Sequence, residues 1–270
     1  MRIRAGLSVP GSLEEVLMKV TFYGTGAAAR VPLFGCACPL CQEARDRGKG
    51  RNPASILVDT GESRILVDAG LPDLSYSLAY DEVGAILITH YHVDHVCGLF
   101  DIRWGNGDPI MVFGPDDEEG CADLFSNPGI LDFSIKARPF SGLRFPGELL
   151  VVPVPLIHSR TALGYAFEHR GVRMAYLCDT CGLSEESEKF LLNWRPHHLI
   201  IDCTWPPEQF PSNHNDIAMV EEIVALLQPD STWITHIGHD LDQWLINNRL
   251  PEHIHLAVEG ETIDLAGTEM

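Results

Sequence analysis

Basic residues are scarce in this chain. Lysine and arginine number 19 against 38 aspartates and glutamates, a formal charge of −19 over 270 residues. A surface that acidic repels nucleic acid and anionic lipid and makes long polyanions poor partners. Long apolar runs are missing as well, and none approaches the roughly 20 residues a membrane span needs. The opening residues Met1-Arg2-Ile3-Arg4-Ala5-Gly6-Leu7-Ser8 carry arginines but not the apolar stretch of an export signal. Without export, the eight cysteines at 36, 38, 41, 97, 121, 178, 181 and 203 are expected as thiols or metal ligands, not disulfides. A cytoplasmic location follows. Internal repeats and low-complexity linkers are absent too, which predicts one domain over 18–270 behind a leader of unclear structure at 1–17. Within that leader Leu13-Glu14-Glu15-Val16-Leu17 reads as a helical turn.

What the chain does have is concentrated in Thr89-His90-Tyr91-His92-Val93-Asp94-His95. This stretch follows the apolar run Ala85-Ile86-Leu87-Ile88, the pattern of a buried strand opening into a loop. His90 and His92 are two apart and project to the same side of an extended chain. A turn after them would aim Asp94 and His95 at a second position. Imidazole and carboxylate suit Zn, Mn and Fe, and two such pairs can serve two ions.

A second cluster precedes it. Cys36, Cys38 and Cys41 offer three thiolates on a loop that Pro39 stiffens, a set that suits tetrahedral zinc with one ligand still missing. Upstream, Lys19-Val20-Thr21-Phe22-Tyr23 reads as the first strand. Gly24-Thr25-Gly26-Ala27-Ala28-Ala29 after it is a tight turn, since no helix begins where a bound pyrophosphate would need one. Ser55–Asp59 and Arg64–Asp68 read as a hairpin closed by Thr60-Gly61-Glu62-Ser63. Asp68 either holds a ligand histidine in place or caps the turn. Gly98 to Asp108 reads as a glycine-rich loop, a pocket rim or an ordinary connection.

The second half repeats strand followed by polar residue. Val151–Ile157 ends in His158, Arg173–Cys178 in Asp179, His198–Ile201 in Asp202 and Ser231–Thr235 in His236. Functional side chains gather at the ends of strands on a rigid sheet, so these are expected to converge. Cys178 and Cys181 are read as core thiols. Asn215 to Leu227 is the clearest helix, with Ile217, Val220, Ile223, Val224 and Leu227 on one face and Pro229 beyond its end. His214 lies just before it.

The H-x-H-x-D-H spacing of residues 90–95, followed in order by His158, Asp179 and His236, resembles the metallo-β-lactamase superfamily. More closely, the chain resembles the phosphoribosyl 1,2-cyclic phosphate phosphodiesterases of the carbon–phosphorus lyase pathway. That likeness rests on Gly35-Cys36 to Cys41, Leu87 to His95, Gly98 to Pro115, Gly164-Tyr165, Asp179-Thr180, Asn213-His214 and Thr235 to His239. It implies one metal held by His90, His92 and His158 and another by Asp94, His95 and His236, with Asp179 bridging. The active-site metal would be Mn, with Zn or Fe as alternatives, and a separate structural Zn would sit on Cys36, Cys38, Cys41 and His239. His214 matches the general acid, and Asp94 is counted with it among the catalytic residues.

The expected fold is an α/β, four-layer αβ/βα sandwich, two mixed sheets packed face to face with helices outside. The expected partner is a small anionic cyclic phosphodiester, with no nucleic acid, no membrane, and a homodimer left open. Thioester hydrolase, lactamase and tRNA 3′-processing nuclease are rival activities; the acidic charge weighs against the nuclease. His92 stands where oxygen-reducing diiron relatives carry Glu. A non-catalytic or cofactor-biosynthesis metal protein resembling the PQQ-assembly protein is the alternative of a different class.

Overall fold

The computed structural model describes residues 18–208 and 212–266. The leader, with the helical turn expected at 13–17, lies outside the described residues. The first sheet contains β1 (Met18–Gly24), β2 (Ser55–Asp59), β3 (Arg64–Val67), β4 (Ala85–Leu87), β5 (Ile110–Phe113) and β6 (Leu131–Asp132). The second contains β7 (Leu143–Phe145), β8 (Leu149–Leu156), β9 (Ala162–His169), β10 (Val172–Leu177), β11 (His198–Asp202), β12 (Ser231–Thr235) and β13 (Ile254–Leu256). The chain then returns to the first sheet as β14 (Thr262–Leu265), giving the order β14-β1-β2-β3-β4-β5-β6 there and β13-β12-β11-β10-β9-β8-β7 in the other. Both sheets are mixed, antiparallel on one side and parallel from β3 to β6 and from β10 to β13.

Side chains alternate across each strand, and the alternation sorts them into layers. Ile56, Val58, Ile65, Val67 and Leu87 of the first sheet share one core with Val151, Tyr165, Phe167, Met174, Tyr176 and Ile200 of the second. Their neighbours Leu57, Leu66 and Ile86 face away, onto Leu74 of α2 (Leu74–Ser77) and Val96 and Leu99 of α3 (Val93–Ile102). On the other flank Ala175, Leu177, Leu199 and Ile201 meet Leu191 of α5 (Glu185–Trp194), Val220 and Ile223 of α6 (Ile217–Leu227) and Leu241 of α7 (His239–Leu245). The result is helices, sheet, sheet, helices: the expected four-layer sandwich. Two further helices, α1 (Pro39–Arg47) and α4 (Ala122–Ser126), complete the described set of α-helices. No described helix is long and apolar enough to cross a membrane.

Two local expectations are corrected. The segment read as a glycine-rich loop from Gly98 is helical as far as Ile102, and only the residues after it form a loop. Glycine is needed at Gly98 for contact, not for freedom. A Cβ there would come within 2.5 Å of the Leu71 carbonyl oxygen and 2.8 Å of that of Ala69. At Gly70 a Cβ would meet the Asp94 carbonyl oxygen at 1.9 Å, so both glycines let α3 lie directly on the loop after β3. Pro39 likewise does not stiffen a loop. It opens α1 as the first helical residue, where its missing N–H costs nothing, with the Cys38 sulfur accepting from the Cys41 N–H. Helix α6, the clearest in the sequence, starts at Ile217, capped by Asp216, and stops at Gln228 in a left-handed turn before Pro229.

Candidate metal centre

The ends of β4, β10, β11 and β12, together with the loop after β8, converge on one pocket. There the structure places His90, His92 and His158 in one group and Asp94, His95, Asp179 and His236 in another, each with its ligand atoms within 4.8 Å of one another. His90 Nε2 lies 2.8 Å from His92 Nδ1, which lies 3.2 Å from His158 Nε2. Asp179 sits between the groups. Its Oδ2 is 3.8 Å from His90 Nε2, 3.9 Å from His158 Nε2 and 3.3 Å from His95 Nε2, while Oδ1 is 3.3 Å from His236 Nε2.

Most of these rings are aimed by a bond at the back. His95 Nδ1 is 2.8 Å from Asp68 Oδ2, and Asp68 also accepts from the Thr89 N–H and hydroxyl. Of the two roles left open for Asp68, it therefore takes the one of holding a histidine. His236 Nδ1 is 2.9 Å from Thr204 Oγ1, and His158 Nδ1 donates to the Asn213 carbonyl at 3.2 Å. Such partners fix ring orientation and raise ligand basicity. Asp68 and His236 both adopt left-handed backbone, φ +59 and +57, strain of the kind held at functional sites. The Tyr165 hydroxyl, reaching from the second sheet, donates to the Ile88 carbonyl at 2.7 Å and pins the strand end that leads to His90.

The electrostatics fit a cation. Asp68, Asp179 and Asp202 are buried, with Asp94 beside them. Burial opposes the charge on Asp179, yet His236 and His95 hold its carboxyl well below the usual range. Burial likewise opposes a charge on His95, and Asp179 and Asp68 overcome it and push the ring well above its usual value. By contrast burial drives His90, His92 and His158 down, towards the neutral ring that can donate to a metal, whereas His95 would have to give up a proton to do so. Among the described residues His95 Nε2 and His236 Nε2 are buried with no hydrogen-bond partner. Buried nitrogens are normally satisfied, so two orphans facing a shared carboxylate fit a divalent ion.

His214 stacks on His236 with ring centroids 4.6 Å apart, and its Nδ1 is 2.8 Å from Asp202 Oδ2. Asp202 also accepts from the Thr180 N–H and the Thr204 hydroxyl. In the sequence Asp202 is legible only as a strand end, with no role attached to it. Its one signal is a position at the end of β11, like that of Asp179 just beyond β10.

About a second centre the chain arranges sulfur. Cys36, Cys38, Cys41 and His239 lie with their ligand atoms within 4.8 Å, His239 Nε2 being 3.5 Å from Cys36 Sγ and 3.4 Å from Cys38 Sγ. The Cys41 N–H and His239 lower the Cys38 thiol to about 6, and three sulfurs with one imidazole are a zinc donor set. Cys178 is buried in the inter-sheet core as expected, but Cys181, read with it as a core thiol, is only partly buried in the turn after Asp179 and belongs to no core cluster.

The family described as the β-lactamase superfamily domain matches residues 55–237. An octanoyltransferase of Porphyromonas gingivalis is 28% identical over 267 residues, covering 90% of this chain and 51% of that protein. Coenzyme PQQ synthesis protein B of Methylobacterium radiotolerans is 29% identical over 198 residues, covering 59% of this chain and 64% of the relative. The chain thus spans about half to two thirds of the length of these relatives. In three dimensions it is similar to a diphosphatase of the PhnP family, with a TM-score of 0.76 at 24% identity over 92% of this chain and 99% of the other. Zn(2+)-bound PqqB from Methylobacterium extorquens gives 0.70 at 19% identity, over 92% of this chain and 100% of the other. At such identities the two structures establish a shared fold.

Proposed function

This chain belongs to the β-lactamase superfamily, and we propose that it is a metal-dependent hydrolase of a small cyclic phosphodiester. The substrate that fits the resemblance best is 5-phosphoribosyl 1,2-cyclic phosphate, opened to ribose 1,5-bisphosphate. The observation that carries the reading is the position of Asp179 between two donor groups, 3.3–3.9 Å from ring nitrogens of both, with the His214–Asp202 pair beside them.

Two divalent ions on these ligands would neutralise phosphoryl oxygens and lower the pKa of the attacking water. His90, His92 and His158 would hold one, and Asp94, His95 and His236 the other. The nitrogen and oxygen donors suit Mn, Zn or Fe. A sugar alkoxide is a poor leaving group unless protonated as it departs. His214 supplies that proton from the nitrogen that Asp202 does not occupy. Sulfur donors at Cys36, Cys38, Cys41 and His239 would hold a structural zinc away from the chemistry. The charge of −19 argues against a nucleic-acid substrate.

Phosphorus NMR of ribosyl 1,2-cyclic phosphate with Mn-loaded protein tests the reading: the cyclic resonance should give way to a monoester. The second reading, a cofactor-biosynthesis protein without hydrolytic turnover, is favoured by the similarity to PQQ synthesis protein B. A fully loaded protein that cleaves neither the cyclic ester nor a generic bis-aryl phosphodiester would decide for it.

A further inference from the structure

His158 and the His90–His92 pair come from different sheets, so something must set their separation. The loop carrying His158 joins β8 to β9, while His90 and His92 follow β4. Main chain just past the loop is fixed at the start of β9, where the Leu163 N–H donates to the Thr89 carbonyl at 2.9 Å. A side-chain tie to the first sheet comes from Arg160, two residues beyond His158. Its Nη1 donates to the carbonyl of Tyr91, the residue between the two histidines, at 3.2 Å. Nε and Nη2 hold Asp117 Oδ2 at 3.1 and 2.9 Å, and Nη2 also reaches the Gly120 carbonyl at 3.4 Å. Asp117 and Gly120 lie in the loop between β5 and α4. One guanidinium therefore joins three loops, two from the first sheet and its own from the second.

Tyr91 is suited to transmit this. His90 and His92 face the metal pocket, and alternation turns the Tyr91 ring the other way, into the helix-side core of the first sheet. There it stacks edge-on against Phe125 at 5.2 Å, and a Cβ on Gly114 would lie 2.3 Å from its hydroxyl. A ring so confined leaves the main chain little room to slide, and Arg160 holds its carbonyl. The Arg160 and Asp117 side chains are only 18% and 9% exposed, so water screens the pair weakly.

We propose that Arg160, braced by Asp117, is a positioning residue that sets the distance of His158 from His92 and so governs cation affinity at the three-histidine group. The inference rests on reading that group as a cation site. Lysine in place of arginine would keep the charge and lose the planar fork that reaches a carbonyl and a carboxylate together.

Equilibrium dialysis against Mn²⁺, with elemental analysis, separates the cases. The parent should take up two Mn per chain besides any zinc in the sulfur cluster. Arg160→Gln should keep one tightly and bind the second 10–100-fold more weakly, the usual effect of losing a group that supports a ligand. Arg160→Lys should fall between them, and Asp117→Asn should shift affinity in the same direction. The pair combined should be no worse than Arg160→Gln alone. Adding Arg160→Gln to His236→Ala should leave neither ion tightly bound, which assigns the weakened site. Unaltered affinity for both ions in folded Arg160→Gln and Asp117→Asn, judged by circular dichroism, overturns the clasp alone. A parent that takes up no divalent ion beyond the sulfur cluster overturns the reading of the site and the clasp with it.

Discussion

At His214 two effects oppose each other. Burial disfavours the charged ring, and the Asp202 carboxylate at 2.8 Å favours it, with Asp179 adding to Asp202. The carboxylates prevail and push the ring up to about 9 from an ordinary 6.5. A general acid must be protonated, so activity resting on His214 should persist towards pH 9 and fall as pH rises through that value. In Asp202→Asn the fall should begin at lower pH, moving towards the ordinary histidine range, as a profile of kcat/KM against pH with an alkyl ester would record. His214→Ala should lower kcat by about 10²–10⁴ with metal content unchanged. The loss should shrink for a nitrophenolate, which departs without a proton; equal losses would mean that His214 binds substrate instead. A second residue-scale prediction concerns Glu259, which burial pushes up to about 7 from 4.5 although the Asn52 and Thr25 N–H groups point at it. Between those values the folded chain binds more protons at this site than the unfolded one, so its contribution to stability falls as pH rises through the window. Glu259→Gln keeps an acceptor for both amides and removes the charge. It should be more stable than the parent at pH 8, by on the order of 1–3 kcal/mol, and lose that advantage by pH 5, measured by urea denaturation. Neither carboxylate's role was legible in the chain. A strand-end aspartate is a position, and its partner twelve residues on becomes a partner only when the loop folds back.

At the scale of elements, α3 is one that the sequence concealed, as it concealed α1 behind Pro39. Glycine costs a helix interior roughly 1 kcal/mol relative to alanine, and so Gly98 reads as a break. Packing outweighs that preference, because the helix approaches the Ala69 and Leu71 carbonyls too closely for any side chain. Gly98→Ala would gain helix propensity and still destabilise, by about 1–3 kcal/mol as overpacking does. The same substitution should loosen the hold of Asp94 and His95 on metal, since α3 carries both in its first turn; urea melts and Mn²⁺ dialysis read the two effects separately. Strands were legible because the period of two is written in the residues themselves. Val20 and Phe22, or Ile65 and Val67, fall in one core and the residue between faces the other way. Helix α6 was legible for the same reason, with its cap at Asp216 and its stop at Gln228 within two residues of the expected limits.

Across the whole molecule, the sulfur cluster joins parts of the chain that the sheets keep apart. Its cysteines lie between β1 and β2 of the first sheet, and His239 opens α7, three residues after the candidate ligand His236 at the end of β12 of the second. Structural zinc supplies on the order of 10 kcal/mol to small peptides and less to a domain with its own core. Cys38→Ser should therefore stay largely folded while losing one zinc and some order at His236. Elemental analysis should find zinc retained by the parent after a mild chelator has stripped the other ions, and all eight thiols titrating freely in metal-loaded protein would contradict the clip. The two sets of strands announced the two sheets, but nothing in Thr262-Ile263-Asp264-Leu265 announced which strand they would join. They pair with β1, Met18 against Leu265 and Thr21 against Thr262. Of the described strands the first to leave the ribosome is thus completed by the last. At about 5–20 residues per second the outer edge of β1 waits roughly ten to fifty seconds for its neighbour. An unpaired edge of that kind is a template for another copy. Nascent chains stalled before Thr262 should therefore associate through Met18–Gly24, and full-length chains should not.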